Sequence, residues 1–229
     1  MMPEGHTAGE NQPILPQNTI LQDGKLYTLN SAPAWRLRGQ PVMEVEGREY
    51  RSWSPFTSKL AAFTMLGGCM LPFHGSRKVL YLGASFGTSV SHVADILPDA
   101  TIYAVEMARE PYVGLQEVAA THQGIIPVMD DAFHPERYSA VVEGPDIVIE
   151  DIAQKNMLDI LIRNIESFRS IRAFFLVVKS RSIDSSASPE RIFEQEKRKL
   201  ESRLKCVVSM KDISRYERDH AVLSGIVPG

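Results

Sequence analysis

Residues 79–106 read VLYLGASFGTSVSHVADILPDATIYAVE, and the fold follows from how that stretch alternates. Val79–Leu82 is a short apolar run that stops at Gly83, as a buried strand does. Thr88 to Leu97 places Val90, Val93, Ala94 and Leu97 on one face of a helix, and Thr101 to Glu106 is again a strand. Strand, glycine turn, helix, strand is a β-α-β unit with parallel strands. The pattern continues downstream with a helix from about Arg109 to Thr121 and strands at Ile125–Met129 and Pro145–Glu150. A helix with Leu158, Leu161, Ile162, Ile165 and Phe168 along one stripe follows, then a strand at Ala173–Lys179. Pro189, behind Ser188, opens a charged helix to about Leu204, and two final strands are expected near Cys206–Met210 and Ala221–Val227. This predicts an α/β fold with a doubly wound, mostly parallel, seven-stranded Rossmann-like sheet.

Upstream the grammar differs. Ser58 is placed to cap a helix through Leu60, Ala61, Phe63 and Met65 that stops at Gly67-Gly68. Between Ile20 and Tyr50 the β-prone pieces TILQ, KLYTLN, PVMEVEG and REYRSW alternate with turn pairs such as Asp23-Gly24 and Arg38-Gly39, as hairpins of a small antiparallel sheet do. Residues 1–18 carry no apolar period and read as a flexible leader. The expected division is leader 1–18, small N-terminal β domain 19–57 and larger α/β domain 58–229.

The chain has 229 residues, 44% hydrophobic and 23% charged, with a formal net charge of −3, which is ordinary for a globular protein and excludes disordered, fibrous and disulfide-scaffold classes. Cys69 and Cys206 lie far apart without metal-ligand spacing, so no zinc site is expected. His6, His74, His92, His122 and His134 form no ligand-like spacing either, and His92 reads as a structural residue on a helix. No segment reads as a signal peptide or a membrane span, which makes a soluble cytoplasmic protein the expectation.

Ligands of such sheets bind beyond the carboxyl ends of the strands. After the first strand, Gly83 and Gly87 let the backbone turn tightly, and the helix that starts at Thr88 and Ser89 offers free N–H groups. The loop is not GxGxxG, since Ser85 replaces the middle glycine, and it lacks the GK[ST] ending of a phosphate loop. Glu106, ending the second strand, is placed to accept hydrogen bonds from two ribose hydroxyls. Asp130-Asp131-Ala132, after the third strand, can meet an adenine, with one acid receiving its amino group and the next backbone N–H meeting a ring nitrogen. No basic group is placed to meet a pyrophosphate, so the three sites suit S-adenosylmethionine better than a dinucleotide, and an NAD-dependent oxidoreductase is disfavoured. Lys179 ends a buried apolar run, where an ammonium needs a partner. Asp151, on the adjacent strand end, is that partner.

Several segments together resemble the fibrillarin family in its compact archaeal form. They are Glu49-Tyr50-Arg51-x-Trp53-x-Pro55-x-x-Ser58-Lys59-Leu60-Ala61-Ala62, Val79 to Gly83 with Gly87-Thr88, Ser91-His92-Val93, Ile102 to Glu106, Glu150-Asp151-Ile152-Ala153-Gln154, Val178 to Asp184, and Arg218-Asp219-His220-Ala221. The resemblance implies an S-adenosyl-L-methionine-dependent methyltransferase acting on ribose 2′-hydroxyls of rRNA and tRNA. It also implies assembly with a box C/D guide RNA, a Nop-family scaffold protein and a kink-turn-binding protein. It places Thr88 and Ser89 at the cofactor's methionine end, Glu106 at its ribose, Asp131 and Ala132 at its adenine, and Asp151 and Gln154 near its sulfonium and tail; Gly83 and Met107 complete the cofactor-binding set. The family's Lys-Asp-Lys-His catalytic set falls on Lys59, Asp151, Lys179 and His220, and no metal is implied.

In that set Lys179 is expected to accept the hydroxyl proton, Asp151 to orient it and face the sulfonium, and Lys59 and His220 to position the nucleotide. A lysine accepts a proton only when neutral, which desolvation or a nearby sulfonium favours and a carboxylate opposes. Three features depart from the family pattern: Phe86, placed to narrow or stack on the cofactor pocket; Asp130, which makes the adenine site more acidic; and Arg169-Ser170-Ile171-Arg172 in place of a Gly-Gly turn. Rival readings are a methyltransferase of the same fold acting on a protein glutamine or a small molecule, and a non-catalytic structural subunit. Residues 1–169 carry 13 basic and 20 acidic groups and residues 170–229 carry 12 and 8. Positive charge therefore gathers late in the chain, and the isolated chain is expected to bind RNA weakly.

Overall fold

The computed structural model describes residues 14–33 and 39–228. Arg38 of the Arg38-Gly39 turn, His6 and residues 1–13 of the expected leader lie outside the described residues. Runs of Val, Ile, Leu, Tyr and Phe form a seven-stranded sheet, because such residues pack on both faces of a buried pleat. Its strands are β5 (Lys78–Leu82), β6 (Thr101–Glu106), β7 (Ile125–Met129), β8 (Ile147–Glu150), β9 (Ala173–Lys179), β10 (Val208–Asp212) and β11 (His220–Ile226). The order is β10-β11-β9-β8-β5-β6-β7. β9, β8, β5, β6 and β7 are mutually parallel, and the antiparallel β11 inserts between β9 and β10.

Two apolar cores lie on the two faces. On one, Val79, Tyr81, Ile149 and Val177 pack beneath α1 (Lys59–Met65), α2 (Thr88–Ile96) and α3 (Arg109–Ala119). On the other, Leu80, Leu82, Val148 and Leu176 pack beneath α4 (Pro135–Tyr138), α5 (Met157–Ser167) and α7 (Pro189–Leu204). A further short helix, α6 (Ser180–Ile183), follows β9 directly, where the sequence reading assigned no element. The start of α7 is capped as expected, with the Ser188 hydroxyl accepting from Arg191 N–H.

A four-stranded antiparallel sheet of β1 (Thr19–Gln22), β2 (Lys25–Leu29), β3 (Val42–Val45) and β4 (Arg48–Ser52), in the order β1-β2-β4-β3, stands against α2. A buried polar cluster joins them. Asp95 of α2 accepts from Arg51 Nε (2.6 Å), Thr28 Oγ1 (2.8 Å), Ser31 N–H (3.0 Å) and Ser31 Oγ (2.6 Å). His92 Nδ1 meets Thr28 Oγ1 at 2.8 Å, and its Nε2 meets Gln40 Nε2 at 3.3 Å. One arrangement satisfies every contact: His92 Nδ1–H donates to Thr28, Thr28 donates to Asp95, and Gln40 donates to Nε2. Burial, then the charges of Arg51 and His122, push the His92 pKa well below its ordinary value, which keeps that ring neutral.

The end of the expected leader is held rather than loose. Gln17 Nε2 donates to Ile96 O (2.9 Å), Asn18 Nδ2 reaches Asp95 O (3.3 Å), and Leu15 packs against the core. The carbonyls left over at the end of α2 give these amides their acceptors. Ser58 departs from expectation too. It occupies the N-cap position of α1 without bonding a helix N–H, and instead accepts from the buried Trp53 Nε1 (3.0 Å). Among the described residues, no helix is long and apolar enough to cross a membrane.

Candidate active site

A cleft of about 330 Å³ opens at the carboxyl ends of the parallel strands. Its floor is the turn after β5. Gly83 has φ +80°, and a Cβ there would stand 2.9 Å from both Asp151 O and Ile152 Cγ1, so only glycine lets the β5 and β8 ends close up. The N–H groups of Gly83 and Ala84 both donate to Val105 O at 3.0 Å, which folds the loop toward β6. Ser85 follows in the left-handed region at φ +50°, and its N–H donates to Glu106 Oε2 (2.9 Å). The other Glu106 oxygen accepts from Ala108 N–H (2.7 Å). Both oxygens are thus oriented by backbone donors, and each keeps a lone pair for a ligand hydroxyl.

Asp131 and Ala132 line the same cleft beyond β7. Asp131 Oδ1 accepts from Phe133 N–H (2.9 Å), which leaves Oδ2 available to an outside donor. Asp130 is tied back, accepting from Asp131 N–H (2.7 Å) and pairing with Arg137 Nε (3.1 Å). The added acidity is therefore partly neutralised. Met107 and Gln154 complete the expected residues along the walls; Ser85, Ile152 and Ala153 also line it, although the sequence assigned them no site role. These follow the strand ends directly, so their positions beside Gly83, Glu106 and Asp151 were the available signal.

At the inner end two cations share one carboxylate. Lys179 Nζ lies 2.7 Å from Asp151 Oδ1 and donates to Asp151 O (3.0 Å), while Lys59 Nζ, from the first turn of α1, lies 3.4 Å from Asp151 Oδ2. The side chains are only 24%, 13% and 15% exposed for Lys59, Asp151 and Lys179. His220 is brought in through the ladder, where it is the direct partner of Lys179. Its Nδ1–H donates to Arg218 O (2.7 Å), which turns the ring about one fixed bond and leaves Nε2 as the nitrogen available to a ligand. His220 does not line the cleft itself.

Two expected contacts are arranged differently. Thr88 and Ser89 begin α2 but do not line the cleft. Ser89 belongs to a polar chain under the floor, with its hydroxyl 3.4 Å from Ser58 Oγ and bonded to Tyr81. Burial, then the nearby Asp151 charge, raises the Tyr81 pKa far above the ordinary phenol. Phe86 does not narrow the pocket. Its ring lies against α3, so close to Gly114 that a Cβ there would fall 2.7 Å from it, and it stays half exposed.

The groups present fit an adenosyl ligand with a cationic centre. An oriented carboxylate waits where a ribose would lie, an acid and a backbone amide lie beyond β7, and the lysine-flanked Asp151 stands at the opposite end. Fold and site define an S-adenosylmethionine-dependent methyltransferase. Residues 14–228 match the fibrillarin family model. The fibrillarin-like rRNA/tRNA 2′-O-methyltransferase of Methanopyrus kandleri is 40% identical over 205 residues, covering 88% of either chain. Among solved structures, fibrillarin in a fibrillarin/Nop5p complex is 36% identical with a TM-score of 0.82, covering 92% of this chain and 98% of that one. Aeropyrum pernix fibrillarin, solved with natively bound S-adenosyl-L-methionine, is 31% identical with a TM-score of 0.79, covering 90% and 92%. The chain belongs to the fibrillarin family.

Proposed function

We infer that this chain is the catalytic subunit of a box C/D guide RNA ribonucleoprotein and methylates ribose 2′-hydroxyls of rRNA and tRNA. A Nop-family scaffold protein and a kink-turn-binding protein are its expected partners. The observation that carries the reading is the Lys59–Asp151–Lys179 cluster at the inner end of the cleft, in a chain whose relatives are named as rRNA/tRNA 2′-O-methyltransferases.

S-Adenosylmethionine, when bound, supplies a methyl group already activated by its sulfonium. What remains for the protein is to place the ribose oxygen in line and take its proton. Glu106 holds the cofactor's ribose, Asp131 and Ala132 its adenine, and Gln154 its tail, with Gly83 and Met107 shaping the walls. Lys179 must first release a proton to solvent, which a sulfonium bound nearby would favour; its neutral Nζ then receives the 2′-hydroxyl proton, and Asp151, 2.7 Å away, fixes where that nitrogen points. Lys59 and His220 meet the acceptor nucleotide, Lys59 through its ammonium and His220 through Nε2. Thr88 and Ser89 act from beneath, through the start of α2.

The test is a guide complex reconstituted with scaffold and kink-turn protein. Lys179→Ala is expected to assemble and bind cofactor normally while its single-turnover methylation falls at least 100-fold. A wild-type rate would remove Lys179 from its role, and methylation of a free peptide would favour the protein-glutamine reading.

A further inference from the structure

Phe56 is a large aromatic side chain held in water, 66% exposed. The turn that carries it, just before α1, is rigid. Phe56 N–H donates to Ser54 Oγ (3.2 Å), Ser58 N–H donates to Ser54 O (3.0 Å), and Trp53 beside it is buried and bonded to Ser58. The Phe56 ring meets Tyr216 edge to face, with centroids 5.2 Å apart and planes at 81°. Tyr216 is in turn fixed in the β10–β11 connection, where its N–H donates to Ile213 O (2.9 Å) and its ring packs partly on the core. The Arg215 guanidinium lies 5.6 Å from the Tyr216 centroid.

Phe56 and Tyr216 line a groove of their own with Trp53, Ser54 and Met65, a few residues along the chain from the reacting end of the cleft. Phe56 precedes Lys59 by three residues, which is at most about 11 Å of chain, and Tyr216 precedes His220, the ladder partner of Lys179, by four. The same rim carries Arg215 and Arg218 in solvent and Arg181, whose Nε is held at 2.9 Å by Asp219. Two fixed rings with an arginine over one of them are what a nucleobase stacks on, and the surrounding arginines suit phosphates. An acceptor ribose seated among Lys59, Asp151 and Lys179 brings its neighbours in the strand to this rim.

We propose that Phe56 and Tyr216, with Arg215, form a stacking platform for a nucleotide flanking the acceptor ribose on the substrate RNA strand. The proposal rests on the RNA-acceptor reading above. The platform sets affinity and register for the strand and takes no part in proton or methyl transfer.

The experiment places 2-aminopurine at each position flanking the target in a substrate RNA and titrates it into the reconstituted guide complex, with methyl transfer measured on the same RNA. Wild type is expected to quench the fluorophore at one flanking position. Phe56→Ala is expected to lose that quench and raise half-saturation about tenfold, the equivalent of about 1.4 kcal/mol. Its saturated single-turnover rate stays within about twofold of wild type, and Phe56→Trp restores both quench and affinity. Unchanged half-saturation in Phe56→Ala, or no quench at any flanking position with wild type, overturns the platform. Failure of Phe56→Ala to assemble with the scaffold also overturns it and marks the face as a protein interface. If wild type quenches the fluorophore but transfers no methyl group to RNA, the acceptor reading fails instead.

Discussion

Replacing Asp95 by Asn removes one negative charge at the seam between the N-terminal sheet and α2 while keeping the shape of the side chain. Asp95 is fully buried and takes four hydrogen bonds from residues of the other element, and the Arg51 guanidinium beside it is fully buried as well, with its Nη2 2.6 Å from Oδ2. The amide retains an acceptor for Ser31 or Thr28 but leaves a cation in the interior without its counter-ion. Breaking such a pair from one side costs about 3–5 kcal/mol, a large share of the roughly 5–15 kcal/mol that holds a domain folded. Urea unfolding at pH 8 should show it as a midpoint lowered by about 1.5 M, taking a slope of about 2–3 kcal/mol/M. Removing both charges, with Arg51→Met added to Asp95→Asn, should recover about 2 kcal/mol of the summed single losses, since neither charge is then stranded. Strictly additive losses, or an Asp95→Asn cost below about 1 kcal/mol, would refute a charge-paired seam. The seam also has a pH signature. Native His92 resists protonation whereas the unfolded residue binds a proton near pH 6.5, so stability should fall as the pH drops below about 6.5.

Glu150 is fully buried, with neither carboxylate oxygen hydrogen-bonded, and burial raises its pKa well above the ordinary carboxylate. Glu150→Gln should match wild type near pH 4 and then gain on it by up to about 1.4 kcal/mol per pH unit until the native carboxyl ionises; parallel stability curves across that range would contradict this. Gly83→Ala forces a Cβ against Asp151 O at φ +80° and is expected to cost about 1–2 kcal/mol of stability and at least tenfold in S-adenosylmethionine affinity, read by calorimetry. The isolated chain, with its net charge of −3, should show no specific RNA binding at physiological salt in a filter assay, and nanomolar affinity for bare RNA would be the opposite result.

The sheet was legible because its information is local. Apolar runs such as Val79–Leu82 and Phe174–Val178 announce strands, and the residue just past each run announces the cleft. Gly83, Glu106, Asp131, Asp151 and Lys179 were all found that way, and the structure gathers them. What stayed hidden depends on partners far along the chain. Nothing in the spacing of Arg51 and Asp95 reveals a buried pair, and His92, structural as expected, gave no sign in the sequence that its partners are Thr28 and Gln40. Ser58 has the residue type of a helix cap, but Trp53 Nε1 needs an acceptor once buried and claims its hydroxyl. Phe86 sits in the binding loop by sequence, and its ring turns to lie beside Gly114 of α3. Phe56 and Tyr216, 160 positions apart, become neighbours only when the last hairpin closes.

That hairpin has a consequence for the chain as it is synthesised. β9 lies in the interior of the finished sheet, yet its outer neighbour β11 is contributed by residues 220–226, after α7 and β10. While a ribosome still holds those residues, the parallel strands can assemble and most of the cofactor walls can form. β9, however, remains an open edge, and Lys179 has no His220 across from it. The Lys179–His220 register therefore forms after the parallel strands that line the cleft. The pairing that closes this edge of β9 is also the one that sets His220 opposite Lys179.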